Sequence, residues 1–130
     1  MPRTEFEDSR PIFQQLAESL VDDILRGRYA EGEQVPSTNE LASYLRINPA
    51  TAGKALGLLV DQGVLVKRRG IGMFVAEGAK QHLADGRRER FAADFIHPLL
   101  AAAEAIGLGA SEIHTLIDRA ANDAASETRD

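Results

Sequence analysis

The sequence predicts a mainly α-helical chain with one small β-hairpin: an N-terminal domain of three helices and the hairpin, then a short two-helix tail. Three observations carry that expectation. Apolar residues recur at helical spacing in five stretches. The pattern switches to period two in one place only, around the glycines of residues 69–72. The length, 130 residues with 44% hydrophobic and 27% charged, suits one domain or two very small ones.

Each element has its own signals. A first helix fits residues 11–26, where Ile12, Leu16, Leu20 and Ile24 recur every four positions and Phe13, Ala17, Val21 and Leu25 widen the stripe. Pro11 suits its first turn and Gly27 its end. A turn-rich connector with Gly32 follows. Ser37 and Glu40 then stand at capping-box spacing and open a short second helix, residues 38–45, that buries Leu41, Ala42 and Leu45. Asn48 as N-cap and Pro49 at the first helical position start a third helix, with Ala52, Ala55, Leu56, Leu59 and Val60 inward and Gly63 as terminator. Residues 64–68 and 73–75 read as strands around Arg69-Gly70-Ile71-Gly72, whose glycines permit a tight hairpin.

Residues 76–79 are the expected linker, dividing a domain over 1–76 from a tail over 77–130. The tail's first helix begins near Lys80 and carries Leu83, Phe91, Phe95, Leu99, Ala102 and Ile106 on one face, with a kink expected at the turn before Pro98. Gly107-Leu108-Gly109 breaks it. A last helix over 110–125 places Ile113, Leu116, Ile117, Ala120 and Ala124 together, and residues 125–130 are expected to fray.

Composition removes several function classes. With no cysteine, disulfides, thiolate zinc sites and cysteine nucleophiles are excluded. His114 and Asp118 lie one helical turn apart, but His82 and His97 are remote, so neither a metal site nor any cofactor is expected. No nucleophile has a neighbouring base, so no catalytic residues are assigned and an enzyme is not expected. Gly53-Lys54 lacks the flanking glycine and hydroxyl of a phosphate loop. The longest apolar run, at residues 99–103, is cut by Glu104, and residues 1–5 lead into acidic sequence, so a cytoplasmic protein with no membrane partner is expected.

Net charge is −5, yet it is unevenly spread. Residues 1–35 carry 4 basic and 8 acidic side chains, residues 36–75 carry 5 and 2, and residues 76–130 carry 6 and 10. The central block is positive within an acidic chain, and the potential at a docking face matters more than the total.

Helix, short capped helix, sharp turn, capped helix and hairpin is the order of a winged helix-turn-helix. In such a module the second helix crosses the phosphate backbone, here with Ser37, Thr38 and Asn39 at its start. The third enters the major groove N-terminus first, so its opening residues must be small or polar: Asn48, Pro49, Ala50 and Thr51. Lys54 follows one turn on. The tip residues Arg68, Arg69, Gly70, Ile71 and Gly72 put two guanidiniums beside a loop that can approach the backbone or minor groove. Each feature also has a plainer role: Ser37 caps a helix, the glycines make a turn, and Arg68 and Arg69 could be a solvated hairpin end.

The segments Pro11-Ile12-Phe13-Gln14-Gln15-Leu16, Ile24-Leu25-Arg26-Gly27, Gly32-Glu33-Gln34-Val35-Pro36-Ser37, Glu40-Leu41-Ala42, Leu56-Gly57-Leu58-Leu59, Gly63 and Arg69-Gly70-Ile71-Gly72-Met73-Phe74-Val75, in this order, resemble the GntR family of bacterial transcriptional regulators. The Asn48-Pro49 helix start and the short tail are similar to its YtrA-like subfamily; other subfamilies append a far larger effector domain. The resemblance covers residues 11–75. It implies a repressor that binds a near-palindromic double-stranded DNA operator as a homodimer. Three positions depart from the family pattern: Asn39 where arginine is common, Gly53-Lys54 where a polar residue and arginine are frequent, and Met73 where threonine is common in the wing.

The alternative is a winged-helix interaction module that binds protein or RNA without reading DNA sequence, since fold does not fix function. The polar-tipped third helix and the basic wing favour the first reading. Two amphipathic helices bury too little to persist alone, so the tail is expected to dimerise through Phe91, Phe95, Leu99, Ile106, Ile113, Leu116 and Ile117. A small-molecule effector, of unknown identity, would then bind at that interface or between tail and DNA-binding domain.

Overall fold

The computed structural model describes residues 5–128. In chain order the elements are α1 (Ile12–Leu25), α2 (Thr38–Leu45), α3 (Pro49–Asp61), β1 (Leu65–Arg68), β2 (Gly72–Val75), α4 (Ala79–Phe91), a π-helical turn (Ala92–Ile96), α5 (His97–Ala105) and α6 (Ala110–Thr128). The chain forms two compact units, one ending at Gly86 and the other starting at Arg87. Among the described residues no single helix is long and apolar enough to cross a membrane.

In the first unit, α3 packs against both α1 and α2, and the hairpin closes one side. Leu16, Leu20 and Ile24 from α1 meet Leu41, Leu56 and Leu59, together with Val64, Leu65 and Val75 of the hairpin. Deleting one such fully buried leucine costs about 2–5 kcal/mol, so this set holds the unit together. Ile12 departs from the expected stripe: it lies in the opening turn of α1 and is 39% exposed. Ala79, expected at the end of a linker, instead begins α4 and is buried in this core, with Leu83 packed beside it.

A buried polar row on α1 escapes the hydrophobic pattern. Gln15, Ser19 and Asp23 are spaced four apart, as the core-facing leucines are, and are all buried. The Gln15 amide donates to the carbonyls of Glu7 and Arg10 at 2.8 Å, and its oxygen accepts from the Glu7 N–H at 2.7 Å. It thereby pins the segment before the helix, and its burial costs little because its groups are paired. Asp23 accepts from Arg28 at 2.7 Å. Burial, helped by Asp23 and Glu33, raises the neighbouring Tyr29 phenol above its ordinary value.

The second unit is thinner. Where a kink is expected the helix carries a π turn: the His97 N–H donates to the carbonyl of Ala92, five residues back. Pro98 has no N–H to give the carbonyl of Asp94, so the regular ladder cannot pass through this point. After α5 the chain turns through Gly107 at φ 74°, where Leu108 N–H reaches the carbonyl of Ala103 at 2.9 Å. Only Ala103 and Ile113 are buried among this unit's described apolar residues.

Candidate nucleic-acid interface

The expected capping box is present at the start of α2. Ser37 Oγ accepts from the Glu40 N–H at 3.1 Å, and the Glu40 carboxylate accepts from the Ser37 N–H at 3.2 Å. That leaves Thr38 and Asn39 in the opening turn, with Asn39 exposed. At the start of α3, Asn48 Oδ1 accepts from the Ala50 N–H at 2.8 Å, a bond that uses the oxygen and not the amide nitrogen. Asn48, Pro49 and Ala50 are exposed and Thr51 is half-buried.

The hairpin pairs Leu65 with Val75 and Arg68 with Gly72 in antiparallel register. Its tip turns through Gly70 at φ 78° and Gly72 at φ 145°, backbone that side-chain-bearing residues rarely adopt. A cleft of about 340 Å³ brings the tip and the second helix together: Ser37, Thr38 and Asn39 line it beside Arg68, Gly70, Ile71 and Gly72. These residues, taken from two distant parts of the chain, thus share one surface. Lys67 lines the same cleft but is missing from the set that sequence alone suggests; the basic run Lys67-Arg68-Arg69 is the signal that could have found it.

Two of the candidate cations rest on aromatic rings. Lys54 Nζ lies 4.1 Å from the centroid of Phe13, and the Arg68 guanidinium 4.6 Å from that of Phe74. Both side chains remain exposed, so the rings restrict the cations without removing them from water. Arg69 is exposed at the tip. Chemically the cleft offers the cations Lys67 and Arg68, the Asn39 amide and the N–H groups at the start of α2, a donor set for a phosphate backbone. Asn48, Pro49, Ala50, Thr51, Lys54 and Arg69 do not line it. Among the described residues no group of His, Asp or Glu is placed to hold a metal ion.

The family profile for bacterial regulatory proteins of the gntR family matches residues 12–75, the stretch that builds this surface. YtrA from Sulfolobus acidocaldarius, a GntR-family transcription factor, is 30% identical; the likeness covers 70% of this chain and 96% of that one, with a TM-score of 0.55. The chain belongs to the GntR family. Its winged helix-turn-helix is therefore the family's DNA-binding domain, and the family consists of regulators rather than enzymes. The HTH-type transcriptional repressor YtrA of Bacillus subtilis is 34% identical over 79 residues, which are 61% of each chain. The match thus spans less than two thirds of that relative. The DNA-binding domain of AraR, solved with operator ORE1, is 32% identical with a TM-score of 0.51, covering 58% of this chain and 93% of that domain.

Proposed function

We propose that the protein is a transcriptional repressor that binds a near-palindromic operator as a homodimer in the cytoplasm. The observation that carries the DNA-binding part is the shared cleft: the start of α2 and the wing tip face one surface, with exposed Lys67, Arg68 and Arg69 on the wing. In this reading Ser37, Thr38 and Asn39 meet the phosphate backbone, Asn48, Pro49, Ala50 and Thr51 enter the major groove, Lys54 and Arg68 hold phosphates, and Arg69, Gly70, Ile71 and Gly72 approach the minor groove. DNA binding belongs to the first unit, which runs past the expected boundary at residue 76 to Gly86, and dimerisation to the unit that starts at Arg87. The repressor named YtrA and the operator-bound AraR domain support the direction of this assignment.

The tail supports the dimer by what it leaves uncovered. Phe91 and Phe95 are 52% and 62% exposed, with ring centroids 5.2 Å apart. Leu99, Ile106, Leu116 and Ile117 line an open apolar groove of about 350 Å³ between α5 and α6, and all four are at least 40% exposed. Ile113 is already buried in its own chain, so it offers a partner little surface. A second copy would cover these side chains by a two-fold arrangement. An effector, where one acts, would bind along the same groove.

Binding should be steep in salt and confined to the cation set. Replacing Lys54, Arg68 and Arg69 together by Ala should abolish gel shifts on the DNA upstream of the protein's own gene while leaving the circular dichroism unchanged. Removing any one cation that holds a phosphate should reduce the log–log salt slope by about one unit. A triple variant that shifts this DNA as the parent does would overturn the assignment.

A further inference from the structure

The connector between α1 and α2 runs along the hairpin as a short third strand. Gly32 N–H donates to the carbonyl of Val75 at 2.8 Å, Val75 N–H to that of Glu33 at 2.9 Å, and Val35 N–H to that of Met73 at 2.9 Å. Gln34 itself bridges Phe74. Strand alternation sends neighbouring side chains to opposite faces, so Val35 enters the core and Gln34 stays outside. From there the Gln34 amide reaches the wing tip and donates to the carbonyl of Ile71 at 3.0 Å.

Gly72 makes room for that reach. A Cβ built there would collide with the Gln34 side chain, and the backbone already sits at φ 145°. Three residues after Gln34 stands Ser37, which caps α2. The connector thus holds the wing tip with one residue and begins the opposite wall of the cleft with another.

We propose that Gln34 is a positioning residue for the wing. It fixes the tip over residues 69–72 at the spacing from the start of α2 that lets both walls meet one DNA backbone. The inference rests on the reading of the cleft as a DNA-binding surface. Gln34 acts through the tip: it has no net charge, and one of its amide N–H groups is held by the Ile71 carbonyl.

The test compares the full chain with Gln34→Leu, which keeps an apolar stem and loses the amide donor, and with Gln34→Ala. Backbone ¹⁵N relaxation should show the amides of Gly70, Ile71 and Gly72 falling from an order parameter of about 0.85 towards 0.6, while α1–α3 stay rigid. Affinity for a mixed-sequence duplex of about 30 base pairs at low salt should fall about three- to ten-fold, the worth of one hydrogen bond. In a background already carrying Arg68→Ala and Arg69→Ala, Gln34→Leu should cause no further loss, because the part it positions is disabled. A tip as ordered in the variants as in the parent overturns the proposal and leaves the DNA-binding surface standing. So does a Gln34→Leu loss that adds in full to the wing losses, which would mark a direct contact. Should the arginine variants themselves bind the duplex normally, the reading of the cleft falls, and the positioning role falls with it.

Discussion

Arg46 shows what a single residue can cost. Three helices of this chain end in the same way: Arg28 N–H returns to the carbonyl of Asp23, Val64 N–H to that of Leu59, and Leu108 N–H to that of Ala103. In each, the left-handed position is filled by glycine, namely Gly27, Gly63 and Gly107. The end of α2 makes the equivalent bond, Ile47 N–H to Ala42 at 3.1 Å, but its left-handed residue is Arg46 at φ 55°. A Cβ in this region is strained by about 1–2 kcal/mol, and glycine's greater freedom when unfolded returns part of that. Arg46→Gly should therefore raise stability by about 0.5–1 kcal/mol, read as a higher urea midpoint with an unchanged slope. A midpoint that falls would show that the Arg46 side chain contributes more than its backbone costs. This feature was not legible in sequence, since the residue type argues against the conformation that the turn demands.

At the scale of elements, the helix starts were the most legible part of the fold. Ser37 with Glu40, and Asn48 with Pro49, announce α2 and α3 because a few side chains must satisfy N–H groups that no helical carbonyl can reach. The dependence is open to measurement. Ser37→Ala removes the acceptor for the Glu40 N–H and should cost about 1 kcal/mol in chemical denaturation, with Ser37→Asp recovering most of it. Equal stability of parent and Ala variant would mean that water serves that N–H as well. Other features depend on partners far along the chain and leave little local trace. Gln15 and Asp23 look like surface residues in a helical pattern until the segments at Glu7 and Arg28 fold over them. Pro98 announced a break in the regular ladder, but not that the break would be a π turn. The candidate site was readable in the same uneven way: the basic tip and the polar helix start stand out, whereas the cleft and the Gln34 contact require residues 34–39 and 67–73 to meet.

At the scale of the whole molecule, the two units differ in how far each completes itself. The first buries leucines from α1, α2 and α3 and closes with a hairpin, whereas the second leaves Phe91, Phe95, Ile106, Leu116 and Ile117 about half exposed or more. At about 25 cal/mol per Å² of apolar surface removed from water, covering those side chains is a stabilisation still open to the chain. In the proposed homodimer a second copy would supply the covering surface by symmetry, and it would set two recognition helices on successive major grooves about 34–36 Å apart. Dimerisation and operator binding should therefore fail together. Leu116→Glu with Ile117→Glu places charges on positions that are already 47% and 51% exposed, so the monomer's own packing is little disturbed. In sedimentation this variant should run as a monomer, and its affinity for a palindromic site should drop by at least about a hundred-fold, because the second half-site no longer binds as part of one body. Its affinity for a single half-site should stay as it was, since the first unit is untouched. A double-glutamate variant that still sediments as a dimer would place the two-fold contact elsewhere on the chain and leave the tail's apolar face without its assigned partner.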